Sequence, residues 1–297
     1  MSQITTVAVA GGNGGIGRFI TEALIRNNYR VTVLTRSEGT SIPGAKTVIV
    51  DYHSHASLVE VLRGIDAVVS AISGAAILDG QLQLIDAAIE AGVKRFLPSE
   101  YGVDLRSLGD IESEFQILYD FELAPKNDIR EKLINHQDTI SWTFVNAGIF
   151  TDTTLIPELG FDLANKCVTL VGDGNALVSW SNRHDVGEYV AAVLANPDTR
   201  NKEVNFAADT KSLNEVVADI ERTHNTKLRV SYQSVEEAIA TVNQTTFPSK
   251  YAAFIEELKR FLSSGYSHQK INDIAGFPGL KPATVHEYIE KLQITVA

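Results

Sequence analysis

Thr6-Val-Ala-Val-Ala10 runs straight into Gly11-Gly-Asn-Gly-Gly-Ile-Gly17. The first five residues are β-branched or small and apolar, a run too short for a helix, so they read as a strand. Five of the next seven residues are glycine, with the spacing G-x-x-G-x-x-G on Gly11, Gly14 and Gly17. Phe19, Ile20, Leu24 and Ile25 then recur at helical spacing on one face. A glycine loop between a strand and a helix turns sharply and lets backbone N–H groups approach a pyrophosphate at the helix N-terminus. Gly11, Asn13, Gly14, Gly15, Ile16 and Gly17 are therefore the expected phosphate cradle of a dinucleotide.

The alternation continues outward from that loop. Val31–Leu34, Thr47–Val50, Ala67–Ser70, Arg95–Leu97 and Trp142–Val145 read as further strands, and Leu58–Leu62 and Leu82–Ala91 as intervening helices, the second closed by Gly92. Apolar strands separated by helices imply a parallel sheet covered on both faces. The expected fold class is α/β, a doubly wound Rossmann sheet that binds NAD(P), with a smaller α/β C-terminal substrate lobe. Residues 1–150 form the expected nucleotide domain and 151–297 a lobe intertwined with it, since no Pro- or Ser-rich linker divides them. In that lobe Val168–Val171, Glu203–Phe206 and Lys227–Val230 read as strands, and Val186–Leu194, Leu213–Arg222, Ala252–Leu262 and Val285–Leu292 as helices. Asp185 is the expected N-cap of the first of these helices.

Ligands of such a sheet lie across the carboxyl ends of its strands. At the end of the second strand stand Thr35-Arg36-Ser37, where NAD-specific chains carry an acid. The Arg36 guanidinium suits a 2′-phosphate, which selects NADP(H), although Glu38 lies close by. Asp51 either accepts a hydrogen bond from the adenine amino group or serves as a turn residue before His53. Ser70, Ala71 and the small residues on to Gly74 let a cofactor cross the sheet edge. Ser99, Glu100 and Tyr101 end the fifth strand at the same edge, Tyr101 as a proton donor or as a buried aromatic.

The glycine loop, Thr35-Arg36, Asp51 and Lys94-Arg-Phe-Leu-Pro-Ser-Glu-Tyr-Gly-Val103 together resemble the NmrA-like and isoflavone-reductase-like branch of the atypical short-chain dehydrogenases. The resemblance continues through Lys126-Asn-Asp-Ile-Arg-Glu-Lys-Leu133, Trp142–Phe150, Val171-Gly-Asp-Gly-Asn175 and His184-Asp-Val-Gly187, and becomes diffuse after about residue 195. It implies an NADP-binding Rossmann domain and, in many members, an NADPH-dependent reductase of a small apolar or aromatic carbonyl or enone. The family's reductases carry a lysine matching Lys126, three residues after an aromatic and four before an arginine. Lys126 and Arg130 are present, but position 123 is Leu and Pro125 directly precedes the lysine. The Tyr-x-x-x-Lys pair of short-chain dehydrogenases is also absent, since Glu122 stands four residues before Lys126.

Lys126 is the expected catalytic residue, stabilising an oxyanion or delivering a proton, and it also touches the cofactor in the family's arrangement. The bland alternative is a solvated lysine in the first turn of a helix with Pro125 at N1. Asn146, Gly148 and Phe150 leave the sixth strand where the family's nicotinamide and substrate meet. A second class of function is a non-catalytic redox sensor of NmrA type, which binds NADP(H) and acts on a partner protein. Phe247, Tyr251, Phe254, Phe261, Tyr266 and Phe277 either line an aromatic substrate pocket or belong to a core.

Composition limits the rest. The chain has 297 residues, 44% hydrophobic and 21% charged, which excludes disorder and gives ample length for a core. A net charge of −11 gives no attraction for nucleic acid or anionic membranes. Cys167 is the one cysteine, which excludes a disulfide framework within the chain and a multi-Cys metal site, and it reads as a small buried hydrophobe. The histidines lack metal-ligand spacing, so no metal is expected. The N-terminus lacks a basic region followed by an apolar run, and Ala67 to Leu78, the longest uncharged apolar stretch, is short of the ~20 residues of a membrane span. The expected setting is cytoplasmic, with a small-molecule substrate.

Overall fold

The computed structural model describes residues 3–37, 41–73, 77–243 and 250–293. Seven parallel strands form the main sheet: β1 (Thr6–Ala10), β2 (Arg30–Thr35), β3 (Ala45–Ile49), β4 (Ala67–Ser70), β5 (Arg95–Leu97), β6 (Ser141–Asn146) and β11 (Lys202–Asn205). Their spatial order is β11-β6-β5-β4-β1-β2-β3. Within it lies the 3-2-1-4-5-6 order of a doubly wound dinucleotide fold, with the chain reversing direction between β1 and β4.

The side chains of β1 explain why both faces are covered. Val7 and Val9 enter a core with Ile20 and Leu24 of α1 (Gly15–Arg26) and with Val186, Tyr189 and Val190 of α7 (Arg183–Ala195). Ala8 and Ala10 enter the opposite core with α2 (His55–Leu62) and α3 (Ile77–Glu90), where Leu58, Leu62, Leu84 and Ile85 are fully buried. Each single-residue step along the strand changes face, so a run of small and branched apolar residues serves both layers.

Asp66 ties β1 to β4 at the end remote from the ligand edge. Its Oδ2 accepts from the backbone N–H groups of Thr5 (2.8 Å) and Thr6 (3.0 Å), and its Oδ1 pairs with Lys94 Nζ at 2.5 Å. Burial alone would raise its pKa, but the Lys94 ammonium and the Thr5 and Thr6 donors outweigh it and hold the carboxyl well below the usual range. Asp66→Ala is expected to cost about 2–3 kcal/mol in urea denaturation at neutral pH. A depressed folded-state pKa means that this stability is complete above about pH 4 and fades as pH falls toward the folded value. The variant's stability is therefore expected to converge on that of the wild type in acid.

Between β5 and β6 the chain makes short turns, then α4 (Gln116–Leu118), a π-turn (Tyr119–Leu123) and α5 (Ala124–Asn135) without a break. Lys126 lies in the first turn of α5 behind Pro125, as the sequence suggests, and the π-turn runs directly into that turn. Proline inside a helix removes a donor and crowds the preceding turn, and the wider π-turn accommodates it. The apolar residues of this segment, Val103, Phe115, Leu118 and Leu123, form their own core with Phe261.

The second half adds β7 (Ile149–Phe150), α6 (Thr151–Thr154), β8 (Phe161–Asp162), β9 (Cys167–Val171), β10 (Leu177–Ser181), β12 (Asp209–Ser212), α8 (Leu213–Thr223), β13 (Arg229–Gln233), α9 (Val235–Asn243), α10 (Lys250–Leu262) and α11 (Val285–Lys291). Two three-stranded sheets, β12-β10-β7 and β13-β9-β8, frame this lobe. Its α7 packs on α1, and its β11 joins the main sheet beside β6.

Two local expectations are corrected. Helix α7 begins three residues earlier than its apolar run, so Asn182 rather than Asp185 is the cap. The Asn182 side chain accepts from Asp185 N at 2.9 Å, while the Asp185 carboxylate receives Asn182 Nδ2 and the Ala283 N–H. Cys167 opens β9 and is only partly buried, its Sγ 3.0 Å from the Arg229 guanidinium. Of the lobe's aromatics, Phe261 packs edge-on against Phe115 and Phe277 edge-on against Phe206, which makes both parts of a core. Phe254 joins the Phe261 cluster, and the Tyr266 ring lies edge-on to Phe115. Phe247 and the Tyr251 side chain lie outside the described residues.

Candidate active site

The glycine loop is built from two kinds of glycine. Gly11 has φ +74°, and a Cβ there would stand 2.7 Å from the Ala71 carbonyl oxygen of the neighbouring strand exit. A Cβ on Gly17 would stand 2.1 Å from the Gly11 carbonyl oxygen, so only glycine lets α1 press against the loop. Gly14 and Gly15 differ: both are exposed, and a Cβ on Gly15 would meet nothing within 4 Å. Gly14 caps α1 without a side chain, and the first turn carries no acid. The N–H groups of Gly15, Ile16 and Gly17 have no carbonyl one turn earlier in the helix and lie at the positive end of its dipole. A cleft of about 430 Å³ opens there, bounded by Asn13, Gly14, Gly15, Arg18, Phe19, Arg183 and Glu22, whose carboxylate is paired with Arg18 at 2.8 Å. This open, positively poised cradle fits a diphosphate.

At the end of β2 the Arg36 guanidinium is exposed, and it donates no hydrogen bond among the described residues. It lies close enough to Tyr52 to oppose the burial that pushes that phenol up to about 12. Asp51 accepts from the His53 N–H at 2.9 Å through Oδ1, an Asx turn that occupies one of its two oxygens. Glu38 and Gly74 lie outside the described residues.

The exits of β4 and β5 are tied together. Tyr101 donates its hydroxyl to the Ser70 carbonyl at 2.9 Å, and burial drives its pKa far up, so it is a structural phenol rather than an acid. Ser70 is fully buried, and Ala71 reaches the loop only through its backbone beneath Gly11. The Ser99 N–H donates to the Gln81 side-chain oxygen at 2.8 Å, a contact from α3 that sequence spacing did not suggest.

Behind this edge lies an ion network. Arg130 Nε pairs with Glu100 Oε1 at 2.9 Å and Arg130 Nη2 with Glu203 Oε1 at 2.9 Å, all three residues largely buried. Arg106 reaches Glu203 and Asp104 from the other side. Burial works against the Arg130 charge, but Glu100 and Glu203 outweigh it and raise its pKa. The Asn146 amide donates to Glu203 at 2.7 Å and to Asn205 at 3.0 Å, so its side chain is committed to this network. Glu203 is the member with no sequence signal, because it arrives on β11 from the second half. Phe150 is half-buried against the α1 core, and its carbonyl accepts from Thr154 Oγ1 at 2.8 Å.

Lys126 is 7% exposed, which overturns the reading as a solvated lysine. Its Nζ donates to the Glu100 carbonyl at 3.3 Å and pairs with Glu122 Oε2 at 3.3 Å. The amine also lies 3.8 Å from where a Cβ on Gly102 would sit, so it is held against the turn that follows β5. A buried ammonium beside the carboxyl end of the sheet can stabilise charge on a substrate oxygen and give up a proton to it.

The NmrA-like family model matches residues 3–289 of the chain. The chain belongs to the NmrA-like family. This NmrA-like chain is 28% identical to the bifunctional pinoresinol-lariciresinol reductase of Thuja plicata, over 98% of its own length and 99% of that protein. It is 33% identical to oxidoreductase aprR of Aspergillus flavus over 78% of each chain. Among solved structures, AtPrR2 with NADP+ and (+)pinoresinol superposes with a TM-score of 0.81 at 26% identity, over 98% of this chain and 99% of the other. The Rossmann fold and the family expected from the sequence are both borne out. Among the described residues no helix is long and apolar enough to cross a membrane.

Proposed function

We propose that this NmrA-like chain is an NADPH-dependent reductase of a small, aromatic secondary metabolite. The observation that carries the reading is the buried Lys126 amine at the sheet edge, on the far side of β4 from an open phosphate cradle, in a chain whose full-length relatives are reductases. The substrate class follows from those relatives, which include phenylcoumaran benzylic ether reductases and a eugenol synthase. NADPH supplies the hydride when bound. The N–H groups of Gly15, Ile16 and Gly17 bind its diphosphate, and Arg36 its 2′-phosphate. Ser70 and Ala71 keep the sheet edge low beneath it, while Ser99 and the backbone of Asn146 and Phe150 border the nicotinamide end. Asp51, with one oxygen still open, reaches the adenine amino group. Lys126 in its ammonium form balances the charge that builds on the substrate oxygen and then protonates it.

The test is NADPH consumption with a panel of phenylpropanoid dimers, phenolic enones and allylic phenol esters, with products identified by mass. At least one class is expected to be reduced. If no compound draws hydride, and the NADP+ and NADPH forms instead differ in their capture of a partner protein, the sensor reading replaces this one.

Cofactor choice is tested separately. Charge-assisted bonds to phosphate are worth about 1.5–3 kcal/mol, so NADPH is expected to bind roughly tenfold to a hundredfold tighter than NADH by titration calorimetry. Arg36→Ala should remove most of that preference. Equal dissociation constants for the two cofactors in the unaltered protein would refute the role given to Arg36.

A further inference from the structure

Lys126 lacks the tyrosine and the aromatic that accompany such lysines in related dehydrogenases, and Glu122 stands in the tyrosine's place. Its carboxylate lies 3.3 Å from the Lys126 amine. The two side chains differ in exposure, 39% for Glu122 and 8% for Lys126, so the carboxylate bridges solvent and a buried ammonium. Leu123 offers no alternative, since it is buried in the cluster of Phe115 and Phe261. The π-turn at Tyr119–Leu123 sets the phase of this segment, and such turns recur at functional sites.

The other charged groups packed around the helix have partners of their own. The Glu100 carboxylate is held by Arg130, and Glu203 by Arg130 and Arg106. Asp104 pairs with Arg106, and from α3 Asp86 pairs with Lys132. Glu100 meets Lys126 only through its backbone carbonyl. Among the described residues Glu122 is thus the carboxylate that faces the amine.

We propose that Glu122 is the positioning and proton-supplying partner of Lys126, so that a Glu–Lys pair does here what a Tyr–Lys pair does elsewhere. The inference rests on the reductase reading for the reaction it serves. As hydride reaches the substrate carbon, the electron pair of the reduced bond moves to oxygen. An N–H bond of the Lys126 ammonium breaks and an O–H bond forms on the substrate. Glu122 then passes one proton from water to the neutral amine and returns to its carboxylate form. The net uptake is one hydride from the reduced nicotinamide cofactor and one proton from the medium.

The first arm of the test needs no substrate. Competitive acetylation of the Lys126 amine with acetic anhydride, followed across pH by peptide mass, gives its titration midpoint in the wild type, Glu122→Gln and Glu122→Asp. An opposite charge at this distance favours the ammonium, so the midpoint is expected to move downward in Glu122→Gln and to recover largely in Glu122→Asp. With the panel compound that turns over best, the alkaline limb of kcat/KM should move by the same amount, with NADPH affinity unchanged. An unmoved midpoint overturns the inference, as does a moved midpoint with an unmoved alkaline limb. Failure of the reductase reading looks different: the wild type consumes no NADPH with any compound, and the midpoint alone then decides whether Glu122 governs the amine. Glu122 is partly exposed, so Glu122→Gln should melt at the wild-type temperature.

Discussion

Gly14→Val is expected to leave a folded protein that no longer binds NADPH. Gly14 has φ −91° and ψ 174°, extended backbone that valine adopts without strain. Its Cβ would stand 3.5 Å from the Gly11 carbonyl oxygen, an ordinary contact, and the residue is exposed. The fold therefore has no reason to reject the side chain. The branched methyls would cover the first-turn N–H groups of α1, the site proposed for the diphosphate. Losing two charge-assisted bonds at ~1.5–3 kcal/mol each lowers affinity by about a hundredfold or more. Gly17→Ala gives the contrast, because its Cβ would stand 2.1 Å from the Gly11 carbonyl oxygen and only a backbone shift relieves it. That variant should lose both thermal stability and binding. Titration calorimetry beside a melting curve separates the two cases, and native NADPH affinity in Gly14→Val would mean that the diphosphate lies elsewhere.

The different fates of these two glycines mark what the sequence could convey. Strand, loop and helix were legible at β1 and α1 because the alternation of Val7, Ala8, Val9 and Ala10 carries the demands of both cores within five residues. Which glycines are packed and which are open was not, since that depends on the carbonyl of Ala71, brought from β4. Helix α1 starts at Gly15 rather than at Phe19, because the loop's last glycines are already its first turn. The stretch from Val103 to Leu123 carries no clean period: its apolar residues answer to Phe261 on α10, far along the chain. The strands β7, β10 and β12 are short and pair with one another across the lobe, which gives local pattern little to show. Arg130 was visible as a motif residue, but its buried partners Glu100 and Glu203 come from β5's exit and from β11. Nonlocal charge pairing of this kind leaves no spacing to read.

Lys126→Met is expected to lower turnover by about 10²–10³ while leaving NADPH affinity nearly unchanged, since that is the usual cost of losing one acid–base or oxyanion-stabilising group. Methionine matches the length and burial of the lysine stem, so the helix keeps its packing and the loss falls on the amine. Removing the ammonium leaves the Glu100 carbonyl without that donor and Glu122 facing a thioether, but Glu122 is partly exposed and can turn to water. The stability cost should therefore stay near 1 kcal/mol, the order of one hydrogen bond. In the proposed reading the phosphates bind at Gly15–Gly17 and Arg36, on the other side of β4 from this amine, which is why binding and turnover should part company. A kcat that falls while the cofactor dissociation constant holds assigns the amine to the chemical step. Parallel losses in both would mean instead that Lys126 grips the nicotinamide ribose and that the proton comes from another donor.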